Sequence, residues 1–331
     1  MRRAIPIVAL IALLGLIPAA ADEATGFHLE SRVRGSALAF ASLEDLGGME
    51  ARMQQTALGR MMQDEEMQAF FAPMQQMGEQ ILESGMPGMP PMVMDLLQQL
   101  EGLQGQVGMA LVDVDMRRQK VDAVLSLDFG THVGDFATFL GRVIKEFGQG
   151  GPPIETAQKN GRTWWSMDTG DIPIHATTVD TAFVVATSES LLEGVIAAPA
   201  GNGSLAGDED FQAVRDRVGG GDLAAYVYAN VPAILAKFAD QMGPQELHIA
   251  NALGLDTIRA AAYGLSFKGD GFRDTLVVHA PGADHGIFPA LAMKPLTAPR
   301  TLDMVPENAF YWGEVNFPFP ELLARVRAVV E

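Results

Sequence analysis

One phrase recurs in this chain and limits its architecture more than any other feature. Asp222–Phe238 reads as a short buried strand, a turn and an amphipathic helix. The same phrase stands near the start, at Ser36–Met53, and again at the end, at Asn308–Val326. The segments after the first two copies match as well. A helix over Gln245–Leu253 ends at Gly254, and a hairpin then joins Thr257–Lys268 to Gly271–Ala280. After the first copy, Gln106–Asp115 and Lys120–Asp128 alternate as strands around the turn Met116–Gln119. A Gly-Leu step, Gly102-Leu103 or Gly254-Leu255, leads into each hairpin.

The first copy carries an addition. Helices are expected over Thr56–Met62, from Asp64 to Gly85 and over Val93–Leu103, and the Met-rich stretch Thr56–Gln99 has no counterpart in the second copy. Asp64 is placed to cap the middle one, with Glu65 and Glu66 favourable in its first turn. Met67, Phe70, Phe71, Met74, Met77, Ile81 and Leu82 share one face of it. Thr131–Phe147 returns to helical spacing after the hairpin. Ile154–Gln158, Thr163–Met167, Pro173–Thr178 and Thr181–Ala186 then form a β-meander, and Ser188-Glu189-Ser190 caps a helix at Leu191–Ile196. Pro199–Gly207, rich in Gly and Ala, is the candidate linker, and Asp208–Val218 is a short helix.

The fold class implied is α+β. Two related units of antiparallel sheet with helices on one face are expected, plus a partial third strand-helix unit. The first unit spans 22–206 and includes the Met-rich insertion. The second spans 207–300 and the partial third 301–331. A unit that stops halfway is expected of a chain cut short rather than of a terminal cap.

The N-terminus specifies destination. Arg2 and Arg3 precede an apolar run from Ala4 to Ile17, and Pro18–Ala21 supplies small residues before Asp22. This is the pattern of a signal peptide over residues 1–21, with export to a periplasm or the medium. No later run approaches the ~18 apolar residues of a membrane span. The chain has no cysteine, so it has neither disulfides nor a lipidated cysteine anchor. A formal net charge of −18 repels phosphate backbones and argues against nucleic acid as a partner. A protein or an apolar ligand is the expected partner.

The phrases Thr56–Phe71, Ala186–Leu192, Leu205–Phe211 and Val305–Ala309, behind an exported leader and the repeated strand-helix phrase, resemble exported bacterial proteins of the domain-of-unknown-function 3352 type. The resemblance covers nearly all of the mature chain. Members of that type usually continue further, and the type carries no established activity, so it implies no site residues.

Catalytic patterns are sparse. Asp168-Thr-Gly170 is the aspartic-protease triplet, but that chemistry needs two such loops and the chain has one. A β-turn explains it better. Eleven of the 18 methionines lie between Met49 and Met94. Met86, Met89, Met92 and Met94 are weak candidates for a Cu(I) site, against the stronger reading of Met as core filler. His28, His132, His175, His248, His279 and His285 show no paired ligand spacing. Asp113, Asp115, Asp122 and Asp128 fit alternation on a half-exposed hairpin. Trp164 and Trp165 point to opposite sheet faces, one into the core and one to the surface. No catalytic residue and no cofactor is expected. The functional expectation is a non-enzymatic binding or envelope-scaffold protein. The alternative is a hydrolase with a site assembled from distant acids such as Asp168, Asp171 or Asp180.

Overall fold

The computed structural model describes residues 26–84, 95–96, 99–147, 153–170, 172–198, 203–239, 242–291, 304–305 and 319–330. The leader, the segment with Met86 to Met94, Asp171 and the strand of the third phrase lie outside them. The fold is α+β, built on one ten-stranded sheet in the order β10-β9-β8-β1-β2-β3-β7-β6-β5-β4. Two compact units divide the chain. One holds the residues up to Asn230 with Ala262–Val277, and the other holds Val231–Ala261 with the residues from Val278 onward.

The strands are β1 (Ala39–Leu43), β2 (Val107–Asp115), β3 (Lys120–Asp128), β4 (Ile154–Lys159), β5 (Arg162–Met167), β6 (Ile174–Val179), β7 (Ala182–Ala186), β8 (Leu223–Asn230), β9 (Ala260–Lys268) and β10 (Gly271–His279). The two copies of the opening phrase contribute β1 and β8, which pair antiparallel at the middle of the sheet. Their register sets Ala39 against Ala229, Ala41 against Val227 and Leu43 against Ala225. On either side the order is mirrored: β1-β2-β3 in one direction, β8-β9-β10 in the other. The halves therefore share one continuous sheet.

Each copy turns from strand to helix. After β1, Asp45 adopts φ +46° and caps α1 (Leu46–Gln55), its Oδ1 accepting from the Gly48 N–H at 3.0 Å. A Cβ at Gly48 would collide with that carboxylate, which explains the glycine. Thr56 caps α2 (Ala57–Gln63) the same way, through Gly59 N. Asp64 Oδ1 accepts from Glu66 N at 3.0 Å at the start of α3 (Glu65–Ser84), as its position in the sequence predicts. The apolar stripe of α3 is not uniformly buried, since Phe70 is 70% exposed. Beyond the hairpin β2–β3 comes α4 (Val133–Phe147); α5 (Glu189–Ala197) follows the meander, and α6 (Glu209–Val218) is capped by Asp208. Ser188 stands at the N-cap of α5 without a side-chain hydrogen bond.

Helices cover both faces of the sheet, not one. Phe136 and Phe139 of α4 pack with Leu103, Val107, Leu127, Trp165 and Phe183 on one face. Phe211 of α6 packs against Phe40, Tyr226 and Tyr228 on the other. Both tryptophans of β5 are buried, so the surface aromatic expected at one of them is not there. The stretch expected as a linker is stapled down where it is described. Gly35 N donates to Gly203 O, Leu205 N donates to Val33 O, and Leu205 is fully buried. One leucine in a Gly- and Ala-rich run is enough to draw it into the core.

The other compact unit holds α7 (Val231–Ala239), α8 (Pro244–Ala252), α9 (Phe288–Leu291) and α10 (Phe319–Val330). Gly254, at φ +80°, ends α8 and lies against Gly286. Among the described residues no helix is long and apolar enough to cross a membrane.

Candidate functional site

A cleft of about 770 Å³ in the first unit opens where β1 hands over to α1. Glycines stand along its wall, among them Gly26, Gly47, Gly48, Gly105, Gly220 and Gly221. Its floor is a buried polar network. Gln106, the residue before β2, donates from Nε2 to Glu30 Oε2 at 2.9 Å and to Glu44 Oε2 at 3.2 Å, and its Oε1 accepts from Leu29 N at 3.0 Å. Ser42 Oγ donates to Glu44 Oε1 at 2.7 Å. Arg215, from α6, places Nη2 3.1 Å from Glu44 Oε1 and 3.6 Å from Glu30 Oε1, with its guanidinium over the rings of Phe211 and Tyr226. Burial pushes the Tyr226 phenol well above its ordinary value, against the opposing pull of Arg215.

Asp128 forms a second anchor beside the same cleft. Its Oδ2 accepts from Phe27 N at 2.8 Å and its Oδ1 from Gly130 N at 3.0 Å. A Cβ at Gly105 would strike this carboxylate. Asp128 is buried, which corrects its reading as one member of a half-exposed acidic hairpin. The other three acids fit the surface better. Asp115 Oδ1 accepts from the N–H groups of Arg117 and Arg118 in the turn, Asp122 pairs with Lys120, and Asp113 Oδ1 accepts from Val114 N.

Chemically, the network is a joint. A general base needs an oxygen within reach of a substrate proton. Here Glu44 spends Oε1 on Ser42 and Arg215 and Oε2 on Gln106. One glutamine amide and one guanidinium thereby tie the residues around Glu30, β1, the entry to β2 and α6 together. Removing a partner from such a set strands a buried charge.

The residues singled out in the sequence scatter. Asp168 is exposed in a turn, its Oδ1 accepting from Gly170 N at 2.8 Å. Asp180 sits at φ +53° and pairs with Arg32 at 2.7 Å. They flank opposite ends of β6, a strand of about 20 Å, so the two do not converge. The histidines are dispersed as well. His28 Nδ1 faces Glu30 at 3.7 Å on the rim of the cleft, His132 faces Asp135, and His175 Nδ1 is 3.1 Å from Ser166 Oγ. Among the described residues no three His, Asp or Glu side chains are placed to hold one metal ion.

His285 is the exception in detail. Its Nδ1 is 2.6 Å from Asp284 Oδ1 and its Nε2 is 3.0 Å from Asp256 Oδ1. A neutral imidazole has one N–H, so serving both carboxylates requires the protonated ring. The bond to Asp284, then that to Asp256, holds His285 above its ordinary value, and the same Asp284 contact holds that carboxyl below its own. The next residues fix the loop: Ile287 N donates to Leu253 O, and Arg325 Nη1 to Gly286 O.

No family model matches the chain, and no curated protein matches it. A solved structure titled "Structure of crystal form I of TP0453" aligns at 9% identity with a TM-score of 0.32, covering 81% of this chain and 84% of that one. A likeness at that level carries no argument about function.

Proposed function

We propose that this is a non-enzymatic exported protein of the domain-of-unknown-function 3352 type, which binds a partner or serves as an envelope scaffold. The observation that carries the reading is where the apolar and ionisable groups lie. The carboxylates at the cleft floor are engaged within the fold, Glu30 and Glu44 by Gln106 and Arg215 and Asp128 by backbone N–H groups. Apolar side chains, by contrast, stand in solvent along β8 to β10 (Val227, Tyr263, Phe272, Leu276) and on α2 and α3 (Leu58, Met61, Met62, Phe70). Exposed apolar clusters mark interaction surfaces on folded proteins. Adaptable methionine is suited to surfaces that repack on a partner.

The test is photo-crosslinking in the envelope. A photoreactive residue replaces Tyr263 or Phe70, with Thr156 as the control on the polar edge strand β4. The reading expects discrete adducts at the first two positions and none at the third. Absence of adducts, together with hydrolytic activity of the purified chain that Glu44→Gln abolishes, would replace it with the hydrolase.

A further inference from the structure

The chain has no cysteine, so its thioethers are the only sulfur that a two-electron oxidant meets. The described methionines differ in how far the fold shields them. Met49 packs against the core that holds Phe136 and Phe139. Met109 lies half-buried in β2, between Ala41 of β1 and Leu125 of β3. Met61 and Met62 of α2, by contrast, are 45% and 43% exposed. With Leu58 they fall at i, i+3 and i+4, so one helix face carries all three.

α2 does not need these side chains to hold its place. Thr56, buried between α1 and α2, donates from Oγ1 to Met53 O at 2.7 Å and accepts from Gly59 N at 3.0 Å. Gly59 is seated so close to α1 that a Cβ would strike the Met53 carbonyl. Toward the turn between β9 and β10, Ala57 N donates to Asp270 O, and Arg60 pairs with Asp270 at 3.3 Å. Backbone contacts, a cap and an ion pair thus fix the helix. Chemistry at Met61 and Met62 changes a surface and leaves the core packed.

We infer that Met61 and Met62 are a reversible oxidation site, converted to methionine sulfoxide by hypochlorous acid, and that this modification switches off the apolar surface they share with Leu58 and Phe70. The inference rests on the reading of that surface as a binding surface. The sulfur lone pair takes chlorine from the acid and hydroxide leaves; water then adds at sulfur and chloride leaves. In sum, sulfide and hypochlorous acid give sulfoxide, chloride and a proton, with sulfur oxidised and chlorine reduced by two electrons. The oxidant is uncharged, so the net charge of −18 does not repel it. Each sulfoxide places a hydrogen-bond acceptor where a partner would bury a thioether, and burying it unpaired weakens the contact. Methionine sulfoxide reductases, one per epimer, restore the thioether.

The full chain, with a photoreactive residue in place of Phe70, is titrated with hypochlorous acid, mapped by mass spectrometry and crosslinked in envelope extract. Sulfoxide at Met61 and Met62 should form at least about fivefold faster than at Met49 and Met109. Adduct yield from position 70 should fall about tenfold or more, and reductase treatment should restore it. In the double variant Met61→Leu, Met62→Leu the yield, whatever its starting level, should no longer respond to the oxidant. Met53, Met116 and Met304 are exposed too and stay in that variant, so a response that persists there overturns the proposal. Equal oxidation rates at the exposed pair and the shielded pair overturn the site itself. Adducts that survive full conversion of Met61 and Met62 overturn the switch and leave the binding reading standing. A chain that gives no discrete adduct even before oxidation overturns both.

Discussion

β3 and β10 end the two hairpins with equal length and the same alternation, yet their surroundings differ. Leu127 of β3 is 8% exposed beneath α4 and beside Phe183 of β7, whereas Val278 at the matching position of β10 is 47% exposed. The strand pattern was written twice, and among the described residues the first half has both a strand, β7, and a helix, α4, against it. An amphipathic strand specifies which face is apolar, and the rest of the fold decides whether that face is buried.

Five substitutions and a change of pH break or sharpen this comparison. The largest effect is expected at the seam where the halves join. Arg215→Leu leaves Glu30 and Glu44 buried without their cation and should cost about 3–5 kcal/mol in denaturant unfolding. Leu127→Ala should cost about 2–4 kcal/mol, as for a leucine cut from a packed core. Val278→Ala, its counterpart, should stay within about 0.5 kcal/mol. Equal losses at the two positions would erase the difference between the halves. Asp45→Ala, which removes the cap of α1, should cost about 1 kcal/mol by the same measurement.

The smallest effect is at His285, and it is a matter of pH. Its folded value is raised, so its contribution is complete below the unfolded histidine value and is lost as pH rises through the folded one. Asp284 is depressed, so its contribution is complete above the unfolded aspartate value and is lost as pH falls through the folded one. The loop should be held best between about pH 4 and about pH 6.5. Amide exchange at Ile287, corrected for intrinsic rates, should be slowest there, and His285→Gln should flatten the profile. A flat profile in the unaltered chain would show that the two carboxylates do not fasten the loop.

Much of the framework was legible in the sequence because it is local. The meander was visible in its alternation, and Asp64 announced α3 through its own capping position. The pairing of β1 with β8 was not legible, because register belongs to two strands 186 residues apart and neither one encodes it alone. The polar joint was hidden for the same reason. Gln106 meets Glu30 across 76 residues, and Arg215 meets Glu44 across 171. Only the inward parity of Phe40, Ser42 and Glu44 hinted that Glu44 ends a buried row. The surface tryptophan was expected for a sheet with one open face, and Pro199–Gly207 was expected as a linker. A second helical layer and one buried leucine removed both.

The two copies of the strand-helix phrase meet at the centre of one sheet, with Ala41 opposite Val227, and the rest of the architecture depends on that pairing. In a chain without cysteine, the double variant Ala41→Cys, Val227→Cys tests this alone. It should form an intramolecular disulfide quantitatively on mild oxidation. A pair that stays reduced in the folded chain, or that forms only between molecules, would contradict the shared sheet.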